Sequence, residues 1–457
     1  MKYDLIIKNG MIITAKERYK ADLAVKDGKI VEISDKINDD AKKIVDADGK
    51  LVLPGAIDVH THLAMPFGGT VSSDSYYSGT VGAACGGVTT IFDYPVQRKG
   101  QSIMEIINSK KEMLEKEACV DYASHCCITD LNDGEILEEM SKAVEEGITS
   151  FKAFLVYKKE GMMVDDGTLV RLMERAKELG AMINIHAENP DLIDLLTERF
   201  LKEGKTSAWY HYMSRPEYVE AEADIRAVHW AKHLNTPLYI VHMANKEGLE
   251  AAIQAKIEGA DVFIETCPHY LEYTRDVYKR EDGRNFVCSP PMKAQDSQDA
   301  LWLAIQNGLI DTVATDHCPF QSYEKDWGKD DFTKIPSGCD GVEILYPYML
   351  DAANRGKISF ERAVELCSTN IAEIFGCDNK GSISIGKDAD IVIYDKDKDV
   401  KVTLDKMHTD CDHTIWEGKE LHGYPVQTYL RGNLIYDNEE FVGKAGMGQF
   451  VKRSARI

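Results

Sequence analysis

Four histidines, one aspartate and one lysine are the residues of this chain best suited to chemistry. His60 and His62 flank Thr61 in AIDVHTH, His186 closes MINIHA, His242 sits in PLYIVHM, and Asp316 closes DTVATD. Lys152 stands inside ITSFKAFLVY, an otherwise apolar run. A buried ammonium is costly unless it is paired or loses its proton. A lysine at a strand end that snorkels to solvent would be the plainer explanation, so its company has to decide. Neutral imidazoles with a carboxylate suit zinc and related divalent ions. A single histidine at a strand end is usually a hydrogen-bonded core residue, but six such positions on one rim exceed what one tetrahedral metal needs. Two metals about 3.5–4 Å apart require a bridging anion and can share a hydroxide. A neutral lysine amine can add carbon dioxide, and the resulting carbamate has two oxygens with which to bridge the pair.

The elements that must place these residues follow from the hydrophobic rhythm. The first fifty residues read as short strands, with Asn9-Gly10 and Asp27-Gly28 where hairpin turns would fall. From Pro54 onward eight β runs alternate with amphipathic helices: AIDVH, VTTIFDY, DYASHCC, ITSFKAF, AMINIHA, PLYIVHM, DVFIETC and DTVATD. SIMEIINSKKEMLEKE, EILEEMSKAVEEG and TLVRLMERAKELG carry apolar residues at helical spacing. This alternation predicts an α/β fold, a (β/α)8 barrel with a parallel sheet. Every candidate residue then lies at or near the carboxyl end of a strand, where barrel enzymes place their chemistry. Alternation along His60-Thr61-His62 sends both imidazoles to the same side. Strand texture returns after ISFERAVELCSTNIAEIFG, so a small β-sandwich built from both chain ends is expected. The expected division is 1–53 and 377–440 for that sandwich, 54–376 for the barrel, and 441–457 for a tail that is mobile or laid on a neighbouring subunit.

Composition narrows the partners. Acidic residues outnumber Lys plus Arg by 76 to 54, a formal charge of −22, which disfavours nucleic acid and anionic membranes. MKYDLIIKNGMIITA reads as strand–turn–strand rather than a signal peptide, and no apolar run reaches membrane-span length. The eleven cysteines form no C-x-x-C pair. They read as reduced thiols of a cytoplasmic protein.

The motifs DVHTHL, GITSFKAFLVYK, NIHAEN, YIVHMAN, ETCPHYL, VCSPPMK, VATDHCPF and STNIAEIFG resemble those of the cyclic amidohydrolases, specifically the dihydropyrimidinase–hydantoinase branch. The resemblance runs from the first barrel strand to about Phe441. It implies a binuclear zinc-type centre, with His60, His62 and Asp316 on one metal, His186 and His242 on the other, and carboxylated Lys152 between them. It also implies that Tyr157 donates its hydroxyl to a developing oxyanion, that Ser289 and Ser337 meet a cyclic imide largely through backbone groups, and that the enzyme is a homotetramer. Phe67, Phe154 and Met162 are candidate walls for a ring substituent. The chain departs from the branch at Ser337, where asparagine is usual, at His269 in place of glutamine, and in CDHTIWEG, which lacks the usual tyrosine and was expected to lie remote from the metals.

These parts make a mechanism. A hydroxide between two metals attacks a ring carbonyl, Tyr157 donates to the oxyanion, and Asp316 carries the proton to the departing ring nitrogen. The substrate would be a small cyclic ureide, a dihydropyrimidine or a 5-substituted hydantoin, opened to an N-carbamoyl amino acid. An allantoinase or dihydroorotase is the nearest rival. Dihydroorotases of this fold carry arginine two residues after the second histidine, whereas His62 is followed here by Leu63, Ala64, Met65 and Pro66. A non-catalytic scaffold would have lost metal ligands, and a mononuclear deaminase would lack Lys152.

Overall fold

The computed structural model describes residues 1–456. Its centre is a ring of eight parallel strands: β1 (Ala56–Thr61), β2 (Val88–Asp93), β3 (Asp121–Ser124, continued by Cys126–Cys127), β4 (Ser150–Phe154), β5 (Met182–His186), β6 (Leu238–Ile240), β7 (Val262–Thr266) and β8 (Thr312–Val313). Each pairs in parallel with the next. A parallel bridge between Thr61 and His317 closes the ring, with the His62 N–H donating to the His317 carbonyl at 2.9 Å. The eight runs read from the sequence are these eight strands, and the fold is the expected barrel.

Alternation explains why β4 tolerates its lysine. Phe151 and Ala153 face outward into the apolar layer shared with Leu169, Leu172 and Met173 of the helix Asp166–Glu178. Ser150, Lys152 and Phe154 therefore face the axis. The ladder of β8 stops at Val313, shorter than the run DTVATD suggested. Beyond it the chain bends inward, held by Thr315, whose N–H and hydroxyl both donate to Asp58 (3.1 and 2.5 Å).

Both chain ends build the smaller β unit. Met11–Ile13, Arg18–Lys20 and Leu51–Pro54 share a seven-stranded sheet with Ile391–Lys401, Glu420–Leu430, Asn433–Asp437 and Glu440–Phe441. It packs on a four-stranded sheet of Tyr3–Lys8, Asp22–Lys26, Lys29–Ser34 and Ala41–Asp46. Leu5, Ile7, Leu23, Ile12, Val52 and Ile391 fill the space between them. Asp27-Gly28 is the expected hairpin turn, with Lys26 opposite Lys29 and positive φ at both turn residues (49° and 78°).

Two expectations fail. Asn9-Gly10 is not a hairpin turn, because Tyr3–Lys8 and Met11–Ile13 belong to different sheets. The chain crosses from one layer to the other there, and a side chain at Gly10 would place its Cβ 2.4 Å from Val52. The tail, expected to be mobile or laid on a neighbouring subunit, is not loose: as far as Arg456 it runs back beneath its own barrel. Tyr122 and Val451, Gly147 and Arg453, and Gly180 and Arg456 are joined by backbone hydrogen bonds. Arg453 is buried under the ring and donates to Ser150 Oγ at 2.8 Å. No helix among the described residues is long and apolar enough to cross a membrane.

Candidate metal centre

The upper rim brings the six singled-out residues together. His60 and His62 leave β1 with their Nε2 atoms 3.2 Å apart, and Asp316 Oδ1 lies 3.2 and 3.1 Å from those two nitrogens. Across the mouth, His242 Nε2 is 3.0 Å from His186 Nδ1. Lys152 rises between the two groups with its Nζ 2.9 Å from His60 Nε2.

Hydrogen bonds behind the rings decide which nitrogens face the centre. His60 Nδ1 meets Glu265 Oε1 at 2.7 Å, and His186 Nε2 meets Glu188 Oε2 at 2.9 Å. A carboxylate takes the ring proton, leaving a bare lone pair on the opposite nitrogen. Burial, joined by the nearby lysine and histidines, depresses the proton affinity of His60 and His242 well below the ordinary imidazole value. Burial lowers that of His186 too, although Glu188 opposes it. Burial alone would raise Asp316, but His60 and His62 hold it well below the usual carboxylate range. The result is a tight cluster of imidazole nitrogens and one carboxylate, a donor set that could hold a metal ion.

Lys152 does not supply a comfortable one. It is 1% exposed, and burial pushes its proton affinity down. Its ammonium position lies over the rings of Tyr94 (4.4 Å) and Phe154 (5.1 Å), and among the described residues it forms no ion pair.

Backbone strain marks the same rim. Tyr157, His242 and Asp316 have φ of 66°, 41° and 52°, in the left-handed region that residues with a Cβ seldom occupy. Such conformations cost of order 1–3 kcal/mol each and cluster at functional sites. Here they turn side chains inward just past the strand ends.

Tyr157, Ser289, Ser337, Phe67, Phe154 and Met162 line the same cavity as His62, Lys152, His186 and Asp316. Phe67 stands edge-on to Tyr157 at 5.2 Å, and the hydroxyls of Ser289 and Ser337 meet at 2.9 Å. His269 is buried against Tyr270 on the helix after β7. Within CDHTIWEG, the Thr414 hydroxyl and the Ile415 N–H donate to Asp340 (2.6 and 3.0 Å). Thr409 and the Asp410 N–H, just before that stretch, donate to Asp74 (2.7 Å each). Asp74 holds His317 Nε2 at 2.9 Å, and His317 follows Asp316.

Several of these partners were not singled out from the sequence: Glu188, Glu265, Arg215, Asp74 and His317. Glu265 carried a usable signal, an acid inside the buried strand VFIET, the same anomaly as Lys152. Arg215, which donates to Glu188 at 2.6 Å, carried none. Other potential ligand groups are otherwise engaged: Asp121, Asp388 and Asp390 surround the Lys380 ammonium, and His408 is hydrogen-bonded to Glu343 at 2.9 Å.

The family model described as "Amidohydrolase family" matches residues 51–434. The D-hydantoinase of Geobacillus stearothermophilus is 40% identical over 458 residues, 98% of this chain and 96% of that protein. The D-hydantoinase of Ralstonia pickettii is 41% identical over 456 residues, 98% and 99% of the two chains. The crystal structure of dihydropyrimidinase from Brevibacillus agri superposes with a TM-score of 0.97 at 40% identity, covering 99% of each chain.

Proposed function

The chain belongs to the amidohydrolase family, and from that premise we propose that it opens the cyclic amide bond of dihydropyrimidines or 5-substituted hydantoins to give N-carbamoyl amino acids. One observation carries the reading: bare imidazole nitrogens and an anionic carboxylate converge on a buried lysine that has no oxygen partner. That donor set fits two divalent cations of zinc type: His60, His62 and Asp316 would hold one, His186 and His242 the other, and N-carboxylated Lys152 would add an anionic ligand. Bound there, the metals would supply Lewis acidity toward a ring carbonyl and lower the proton affinity of water.

The remaining work falls to the chain itself. Asp316 takes the proton of the attacking water and delivers it to the ring nitrogen as the C–N bond breaks, since an amide anion is too poor a leaving group. Burial raises the Tyr157 phenol above its ordinary value, so it stays protonated and able to donate to the forming oxyanion. Ser289 and Ser337 line the same cavity as Tyr157 and would offer backbone groups to the imide. Phe67, Phe154 and Met162 exclude water from the ring substituent. Eleven free, buried cysteines support a reducing, cytoplasmic setting. The homotetramer rests on the family resemblance.

The substrate panel is the test. Met65 and Phe67 face the cavity where a carboxylate-binding relative would need a cation. The lysines at its mouth are engaged, Lys158 with Asp191 (3.5 Å) and Lys159 with Asp194 (2.6 Å), and Arg215 with Glu188. Removing a carboxylate from water without a partner costs several kcal/mol, or about two or more powers of ten in rate. Dihydrouracil and neutral 5-substituted hydantoins should therefore exceed dihydroorotate by that factor in kcat/KM on one metal-loaded preparation. Equal values would hand the assignment to a dihydroorotase-type activity.

A further inference from the structure

Lys325 is a second buried lysine beside the cavity. It ends the short helix Ser322–Lys325 and is fully buried, and its ammonium donates to three backbone carbonyls: Val287 at 2.9 Å, Pro336 at 2.8 Å and Gly338 at 2.7 Å. It forms no ion pair with a carboxylate among the described residues, and the titratable groups near it include the thiols of Cys339, Cys288, Cys411 and Cys318 and the His211 imidazole. Burial lowers the proton affinity of this amine, and the three carbonyls oppose that, since only the protonated form has an N–H for each of them. The positive charge is thus held in place by peptide dipoles.

The carbonyls belong to two separate stretches. Val287 lies two residues before Ser289, while Pro336 and Gly338 bracket Ser337. The same stretches are joined by the Gly338 N–H to the Val287 carbonyl at 2.9 Å and by the two serine hydroxyls at 2.9 Å. Without Lys325 one backbone and one hydroxyl contact would remain between them. We propose that Lys325 is a positioning residue for ring recognition, its ammonium setting the spacing between the Ser289 and Ser337 backbones that meet the cyclic imide. This rests on the reading of those two loops as ring contacts.

Lys325→Met removes the donors at nearly constant volume and leaves every proposed metal ligand in place. In full-length, metal-loaded enzyme we expect KM for dihydrouracil to rise roughly tenfold, the worth of one charge-assisted hydrogen bond. We expect kcat and metal content to stay within about twofold, and the Gly338 amide to lose protection in hydrogen exchange. A general structural role would instead lower kcat and metal content along with any rise in KM. Lys325→Arg keeps the charge but cannot offer three N–H groups from one nitrogen, so it should share the KM defect, and it carries the test if the methionine variant does not accumulate folded. A Gly338 amide that stays protected would overturn the clamp alone. Lost protection with an unchanged KM would overturn the assignment of the loops to the ring, and the inference with it.

Discussion

Lys152 and Lys325 sit near the same barrel rim, both shut away from solvent, in opposite surroundings. Lys325 ends on three carbonyl oxygens. Two other buried lysines behave like it: Lys293 meets Glu220 and the Arg215 carbonyl, and Lys380 meets Asp121, Asp388 and Asp390. Lys152 alone among them ends on a histidine nitrogen and two aromatic faces. A buried ammonium is stable when oxygens replace its hydration and unstable when they do not. Three of these lysines thus end on oxygens, whereas among the described residues the fourth, Lys152, ends on a ring nitrogen and aromatic faces. That asymmetry supports the proposal that Lys152, rather than another buried lysine, is the one carboxylated.

The comparison can be broken most directly at Lys152 itself. Lys152→Ala should strip most of the metal and lower turnover by about four or more powers of ten, the upper range for a group essential to chemistry. Added short carboxylates should restore part of both. Full metal content and turnover in the variant would remove the distinction between the two kinds of lysine. Asp316→Asn comes next. An amide oxygen can still face His60 and His62 but cannot carry a proton, so kcat should fall by about 10²–10⁴ at measured full metal occupancy. Near-normal turnover would move the proton transfer to another group.

Lys380→Met probes the opposite class. Three carboxylates would be left around an apolar side chain, and removing one partner of a buried ionic group typically costs about 3–5 kcal/mol. Denaturant unfolding should show that loss, while activity per folded molecule stays unchanged. A drop in specific activity would mean that this cluster communicates with the rim. The smallest expected effect sharpens the imidazole side. Glu188→Gln removes the carboxylate that orients His186, and second-layer changes of this sort cost about 10–100-fold in metal affinity. Titration of the metal-free enzyme with zinc would read it, and unchanged affinity would show that ring packing alone sets the tautomer.

Much of this was legible in the sequence because the signals are local. Alternation within runs such as AIDVHTH and MINIHA marks strands, aims side chains and ends each strand near a polar residue, all within a few positions. The barrel, the rim and the six candidate ligands follow from that. Local signals failed at Asn9-Gly10, where a turn signature is used to change sheets. They failed again in the tail, whose polar, glycine-containing text hides backbone pairing with Tyr122, Gly147 and Gly180.

By itself the sequence determined the order of strands, which face each presents, and that Lys152 was out of place in its run. It could not determine what answers each buried charge. Lys325 lies 38 residues from Val287, and His60 lies 205 from Glu265. Nothing in the spacing of either pair distinguishes a clamp or an oriented imidazole from chance. Those partnerships exist only once the barrel closes, because the energy of a buried polar group depends on the few ångströms around it rather than on its neighbours along the chain. Tertiary structure therefore decided which lysine is held as a cation, which histidine nitrogen is bare, and which loops frame the cavity.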